Sequence, residues 1–163
     1  MQQGLLIESQ HDDVDLMTAG GLRLHLRRAA LTDLDAVNHL HRWECSAESR
    51  RARYHASRDR IRHAEWRHLI DHDRGYTFLI ACPQRPGLIG LAHLLWQDCG
   101  PPEIALLIAD GWQGRGVGTA AARHVAGLAA AQGHPVQQAR IMSGNVRAIR
   151  LATRFRAIID DSA

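Results

Sequence analysis

The chain contains no lysine: all 20 of its basic residues are arginine. It therefore has no ε-amino group of its own to offer as a nucleophile or a modification site. The accompanying abundance of Ala, Arg and Gly is what a GC-rich coding sequence yields. Cysteine is scarce. Cys45, Cys82 and Cys99 are odd in number and follow no C-x-x-C spacing, which points to reduced thiols in a cytoplasmic protein. No run approaches the roughly 18 uninterrupted apolar residues of a membrane-crossing helix. Met1 to Leu5 lacks the charged start and apolar centre of a secretory signal. A strong excess of one charge is missing too, since the formal net charge is only +3. With 17 carboxylates offsetting the arginines and no reader motif present, nucleic-acid binding is disfavoured.

What is present is ordinary globular material. At 163 residues, 45% hydrophobic and 23% charged, the chain has the size of one domain and enough apolar content for a core. Eleven histidines make its charge sensitive to pH near neutrality. Residues 1–21, with His11-Asp12-Asp13-Val14-Asp15 and a closing Gly20-Gly21, are expected to form a mobile tail with a short strand near Leu5. The domain proper is expected over 22–163.

Leu22, Leu24 and Leu26 alternate with Arg23, His25 and Arg27, the period of a strand. Thr32 or Asp33 caps a helix reaching His41, a second helical start follows Ser46, and a third helix is expected from Arg58 to His72. His68 and His72 share an i, i+4 spacing that could hold a metal, but no third ligand is placed by the sequence, so no metal is expected. Strands follow at Tyr76–Ala81 and Leu88–Gln97 around the turn Pro83–Gly87, then at Glu103–Ala109. Val136–Met142 is a strand reached through a helix, which introduces a parallel pairing. Asn145 caps a last helix with Ala148, Leu151, Ala152 and Phe155 on its buried side and Arg147, Arg150 and Arg154 on another. A short apolar piece, Ala157–Ile159, closes the order.

Gln113 to Thr119 carries Gly114, Gly116 and Gly118 into an alanine-rich helix that ends near Gly133. Glycines ahead of a helix let backbone N–H groups approach an anion, and the helix dipole adds favourable charge there, so the stretch is a candidate phosphate cradle. Glycines at a strand-to-helix turn can also be purely geometric. The dinucleotide fingerprint competes, but it requires an acidic residue about 20 positions on, where this chain has His134-Pro135-Val136.

The spacing Gln113-x-x-Gly116-x-Gly118 resembles the pyrophosphate motif of the GNAT N-acetyltransferase superfamily. Glu103-Ile104-Ala105 opens the preceding strand as in members that use a glutamate base, and Asn145 opens a helix similar to the family's second signature. The run Ser46-Ala47-Glu48-Ser49-Arg50-Arg51-Ala52-Arg53-Tyr54 resembles the corresponding part of bacterial GNAT domains that acetylate protein lysines. A solvated arginine-rich helical turn is the plainer alternative for it.

The resemblance implies an α+β (α/β/α) GNAT fold, a mixed sheet splayed at the cofactor site with helices on both faces. It implies acetyl-CoA as co-substrate and an amine as acceptor, a protein lysine first and a small amine or antibiotic next. Backbone groups of Leu107, Ile108 and Ala109 would pair with the pantetheine, with the Leu107 N–H polarising the thioester carbonyl. Gln113, Gly114, Arg115, Gly116, Val117, Gly118 and Thr119 would hold the pyrophosphate, Asn145 the pantetheine, and Arg115 and Arg150 the nucleotide phosphates. Glu103 would be the general base, with His93 a second candidate. From Glu103 to Ile108 the strand spans about 16 Å, which suits an extended pantetheine arm.

Two departures stand out. The family's tyrosine acid aligns with Ala152, and its Gly-Phe pair with Arg156-Ala157. A non-catalytic module that binds coenzyme A is therefore the alternative to an enzyme. Family members usually finish with two strands and the second is missing here, so either the sheet is shorter or a homodimer supplies the edge.

Overall fold

The computed structural model describes residues 13–56 and 58–160. One seven-stranded sheet runs β1-β2-β3-β4-β5-β6-β7 in space as in sequence. β1 (Asp13–Met17), β2 (Arg23–Arg28), β3 (Gly75–Ala81), β4 (Leu88–Leu95) and β5 (Glu103–Ile108) are successive antiparallel neighbours. β6 (Gln138–Arg140) and β7 (Ile158–Asp160) then add in parallel. The helices are α1 (Leu34–His39), α2 (Ala47–Tyr54), α3 (His63–Leu69), α4 (Val117–Ala131) and α5 (Val146–Arg154). Phe78 meets His124 of α4 with ring centroids 5.4 Å apart. On the opposite face Thr77 donates its hydroxyl to the Leu69 carbonyl at the end of α3. Helices thus cover both faces of the sheet, as an α/β/α layering requires.

The tail expected over 1–21 is corrected from residue 13 onward. Asp13–Met17 pairs with β2 along its whole length. Val14 and Leu16 turn inward while Asp13, Asp15 and Met17 stay exposed. Charged residues on the open side of an edge strand guard it against further pairing, and they also lower its hydrophobicity to that of a tail. The strand expected near Leu5 lies outside the described residues.

The helix expected from Thr32 or Asp33 to His41 is divided. A 3-10 turn (Leu31–Asp33) precedes α1, and a π turn (Leu40–Glu44) follows it. Asp33 accepts the Ala30 N–H at 2.7 Å and a two-pronged contact from Arg27 at 2.6 and 2.9 Å. Those hydrogen bonds, Arg27 foremost, hold the Asp33 carboxyl below its ordinary value against the opposing effect of burial. A carboxyl lowered on folding stabilises above its unfolded pKa, and the contribution fades as pH falls through the folded value. Asp33→Asn should therefore cost about 1–2 kcal/mol at neutral pH. Urea titrations should show the difference shrinking towards zero in strong acid.

The third helix is shorter than the expected Arg58–His72. Asn38 binds Ile61 on both sides, donating to its carbonyl at 3.0 Å and accepting its N–H at 2.7 Å. This holds Ile61 in the core before the helix begins. The Glu65 carboxylate then accepts the Arg62 N–H at 3.1 Å, which sets the start of α3. His72 lies beyond the helix end and contacts Arg28 at 3.3 Å, so it shares no helical face with His68.

α5 ends in a Schellman turn. Arg156 N–H donates to the Thr153 carbonyl and Ala157 N–H to the Ala152 carbonyl, both at 3.0 Å. Arg156 takes φ 54°, the left-handed conformation that side chains resist. Arg156→Gly should raise stability by about 1 kcal/mol, seen as a higher urea midpoint with unchanged slope.

Candidate active site

β5 and β6 touch only at one end. Their single register pair is Glu103↔Gln138, with Gln138 N–H donating to the Pro102 carbonyl at 2.9 Å. Beyond it the strands part, and β6 is three residues long where seven were expected. The opening is a cavity of about 1320 Å³, walled by β5, β6, α2, α5 and the start of α4.

The register decides which backbone groups face this gap. Ala109 N–H donates to the Ile89 carbonyl, so Leu107, two residues back, also turns its N–H and carbonyl towards β4, opposite Leu91. The Leu107 N–H is thus not the donor expected at the thioester. Ala109 is fully buried, and its carbonyl accepts from Trp112 N–H. The N–H groups of Leu106 and Ile108 face the gap instead. Ile108 turns its carbonyl the same way, where the Gln113 amide reaches it at 3.0 Å.

The cradle lies at the wide end. Gly114 and Gly116 take φ 73° and 84°, and Gly116 is the N-cap of α4. No side chain caps this helix and its first turn holds no acidic residue. The first-turn N–H groups are therefore open to an anion. A Cβ on Gly116 would meet Thr18 Cβ at 3.2 Å, so the segment after β1 supports the loop from beneath. Gln113 ties the loop to its surroundings. Its amide donates to Ser49 Oγ at 3.0 Å, and its carbonyl oxygen accepts from Arg147 at 2.8 Å. Asp110 adds a second tie to α2, accepting the Ser49 hydroxyl at 2.7 Å and the Ser46 N–H at 3.2 Å.

α5 forms the other wall. Asn145 caps it as expected, its side-chain oxygen accepting the Ala148 N–H at 3.1 Å. Arg147, Arg150 and Arg154 line the cavity from this helix. Open N–H groups, a glycine-lined floor and three guanidiniums suit a diphosphate ligand. The narrow end holds Glu103, whose side chain is 13% exposed. Its carboxylate lies 3.7 Å from Arg140 Nε, which is also 3.8 Å from Asp160.

Residues 23–157 match the family model for the acetyltransferase (GNAT) domain. The chain belongs to the GNAT acetyltransferase family. No curated protein matches it. Among solved structures, the GNAT domain of S. lividans PAT is 20% identical with a TM-score of 0.78, covering 90% of this chain and 88% of that one. An N-acetyltransferase from Staphylococcus aureus Mu50 is 15% identical with a TM-score of 0.64, covering 82% of each. An aminoglycoside N-acetyltransferase in complex with CoA is 14% identical with a TM-score of 0.61, covering 84% of this chain and 89% of that one. These likenesses are of fold. GNAT enzymes use acetyl-CoA as acyl donor, and the splayed sheet and uncapped α4 fit that molecule.

Around this GNAT cleft the structure gathers Glu103, Leu107, Ile108, Gln113, Gly114, Gly116, Gly118, Thr119, Asn145 and Arg150. It does not bring the side chains of Ala109, Arg115 and Val117 there. Val117 is buried, and Arg115 stacks on the Trp112 ring at 4.4 Å. His93 has no exposed surface, and burial pushes its pKa well below the ordinary value, so it stays neutral. Cys45, next to the cleft, has its thiol pushed up to about 12 by burial and by Asp110, which leaves no thiolate at neutral pH.

Arg140, Asp110 and Thr18 escaped the sequence reading. Asp110 carried a signal, since an Asp-Gly turn two residues before the cradle is placed to anchor it. Arg140 and Thr18 carried none, because only strand pairing and loop packing bring them to the site.

Proposed function

We propose that this chain is an acetyl-CoA-dependent N-acetyltransferase that acts by direct transfer, with Glu103 as general base and a protein lysine as favoured acceptor. The observation that carries the reading is the placement of one carboxylate, Glu103, at the closed end of a cleft whose open end is an uncapped helix start. When bound, acetyl-CoA supplies a thioester carbonyl. Glu103 takes the proton from the acceptor nitrogen as the C–N bond forms and the C–S bond breaks, and solvent protonates the departing thiolate. Leu106 and Ile108 N–H groups are the edge donors for carbonyls along the arm. The open N–H groups of α4 and the arginines of α5 hold the phosphates, and Asn145 borders the pantetheine. A second copy paired along the outer edge of β7 belongs to this reading as well.

Thiol release measured with an amine panel tests the assignment. Amine-dependent release above the hydrolytic background is expected. Ala152 favours a second reading, because it puts no hydroxyl where the family's tyrosine acid would stand. Tight coenzyme A binding with no turnover on any amine would establish that non-catalytic module instead.

A further inference from the structure

Four polar side chains in the run from Ser46 to Tyr54, those of Ser46, Ser49, Arg50 and Tyr54, are held by hydrogen bonds, while Glu48 and Arg51 are exposed. Ser46 caps α2, and Ser49 bonds Asp110 and Gln113. Arg50 donates to the His41 and Cys45 carbonyls at 2.9 and 2.7 Å. Tyr54 pairs with His41 Nε2 at 2.6 Å, and since His41 Nδ1 must donate to the Val37 carbonyl, the tyrosine hydroxyl is the donor.

Arg53 differs. It lines the cleft, and its guanidinium stacks on the Tyr54 ring at 4.7 Å. Its Nε is buried without a hydrogen-bond partner. No carboxylate among the described residues forms an ion pair with it. Burial presses its pKa downward, and Tyr54 and Glu103 act in the opposite sense. A guanidinium nonetheless stays charged in proteins, so a half-buried cation with a buried, unpartnered Nε and no ion pair of its own lines the cleft, where an anionic ligand can meet it.

The position of Arg53 indicates which anion. Ser46 and Ser49 fix the start of α2 to Asp110, at the cradle end. Arg53 lies seven residues after Ser46, about 10 Å further along the helix axis. The phosphate end of the cleft is thus already served by α4 and α5, whereas Arg53 lies further along α2 in the same cleft as Glu103, whose charge favours its protonated form.

We propose that Arg53 receives a carboxylate carried by the acceptor beside its reacting amine, so that acid-flanked lysines or amino acids are preferred over polycationic amines. This rests on the transferase reading above and names its acceptor chemistry. A cation in the same cleft as Glu103 repels a second cation and orients a bound carboxylate, which is how charge sets specificity.

Initial rates with three blocked lysine peptides, flanked by Asp, Ser or Arg, and with free amino acids and spermidine test this. The Asp-flanked peptide should exceed the Arg-flanked one by about tenfold or more in kcat/KM, mostly through KM. Free amino acids outrunning every peptide would assign the carboxylate to a small molecule. Arg53→Gln should abolish the preference, Arg53→Glu should invert it, and Arg53→Lys should restore part of it. Thermal melts of each variant verify folding. Anisotropy of labelled Asp-flanked and Arg-flanked peptides and competition by glutamate, on protein loaded with coenzyme A, read the same contact without turnover. An enzyme that proves inactive is thereby still informative about Arg53. An acid preference unchanged in Arg53→Gln, or one never present, overturns the proposal. So does a loss of coenzyme A affinity in Arg53→Gln, which would make the cofactor the anion.

Discussion

Glu103→Gln should lower acetyl transfer by about 10²–10⁴-fold while coenzyme A binds as before. Glutamine keeps the size of the side chain at the closed end of the cleft but cannot accept a proton. Arg140, which loses its carboxylate neighbour at 3.7 Å, keeps Asp160 at 3.8 Å. The proposed phosphate site lies at the opposite end, so calorimetry of coenzyme A should not register the change. The residual rate has its own signature. Without a base, only the amine already free in solution reacts, so the variant's rate should climb about tenfold per pH unit towards the lysine pKa near 10.4. A variant as fast as the parent at pH 7 would remove Glu103 from the chemistry and return the question to the cleft's other groups.

Gly118→Asp should weaken coenzyme A binding by about 100-fold or more without unfolding the protein. At Gly118 an added Cβ meets Leu151 at 3.7 Å and Ile108 and Leu106 at 3.9 Å, all ordinary contacts. The fold therefore admits a side chain there. An aspartate in the first turn of α4 even interacts favourably with the helix dipole, so the melting temperature should hold or rise. The same carboxylate would occupy the N–H groups proposed to hold the pyrophosphate and repel its charge. Gly118→Ala separates the effects, because it adds the methyl without the charge and should leave affinity within a few-fold. Equal affinity for Gly118→Asp, measured by calorimetry, would show that the start of α4 does not hold phosphate.

Much of this was legible along the chain because the signals were local. Alternating Leu22, Leu24 and Leu26, the glycines of the cradle and the Asn145 cap each depend on neighbours within a turn or a pleat. Features set by distant partners were not. The Asn38 side chain, by binding Ile61, shortened α3 from afar. β1 reads as a tail in the sequence because an edge strand is allowed to be polar, and only its pairing with β2 reveals it. The donor expected from Leu107 failed for a similar reason: a single register value, Leu91↔Leu107, turns its N–H away from the cleft.

From its sequence alone, the order of β2 to β7, the glycine-rich start of α4 and the carboxylate that opens β5 were legible, since each follows from residue type and short spacing. Tertiary structure alone decided which amides line the gap, that Arg140 reaches Glu103 while Arg53 lines the same cleft, and that Thr18 supports the cradle. Those facts depend on strand register and on how α2 packs over β5, and register is a relation between segments that no single segment encodes.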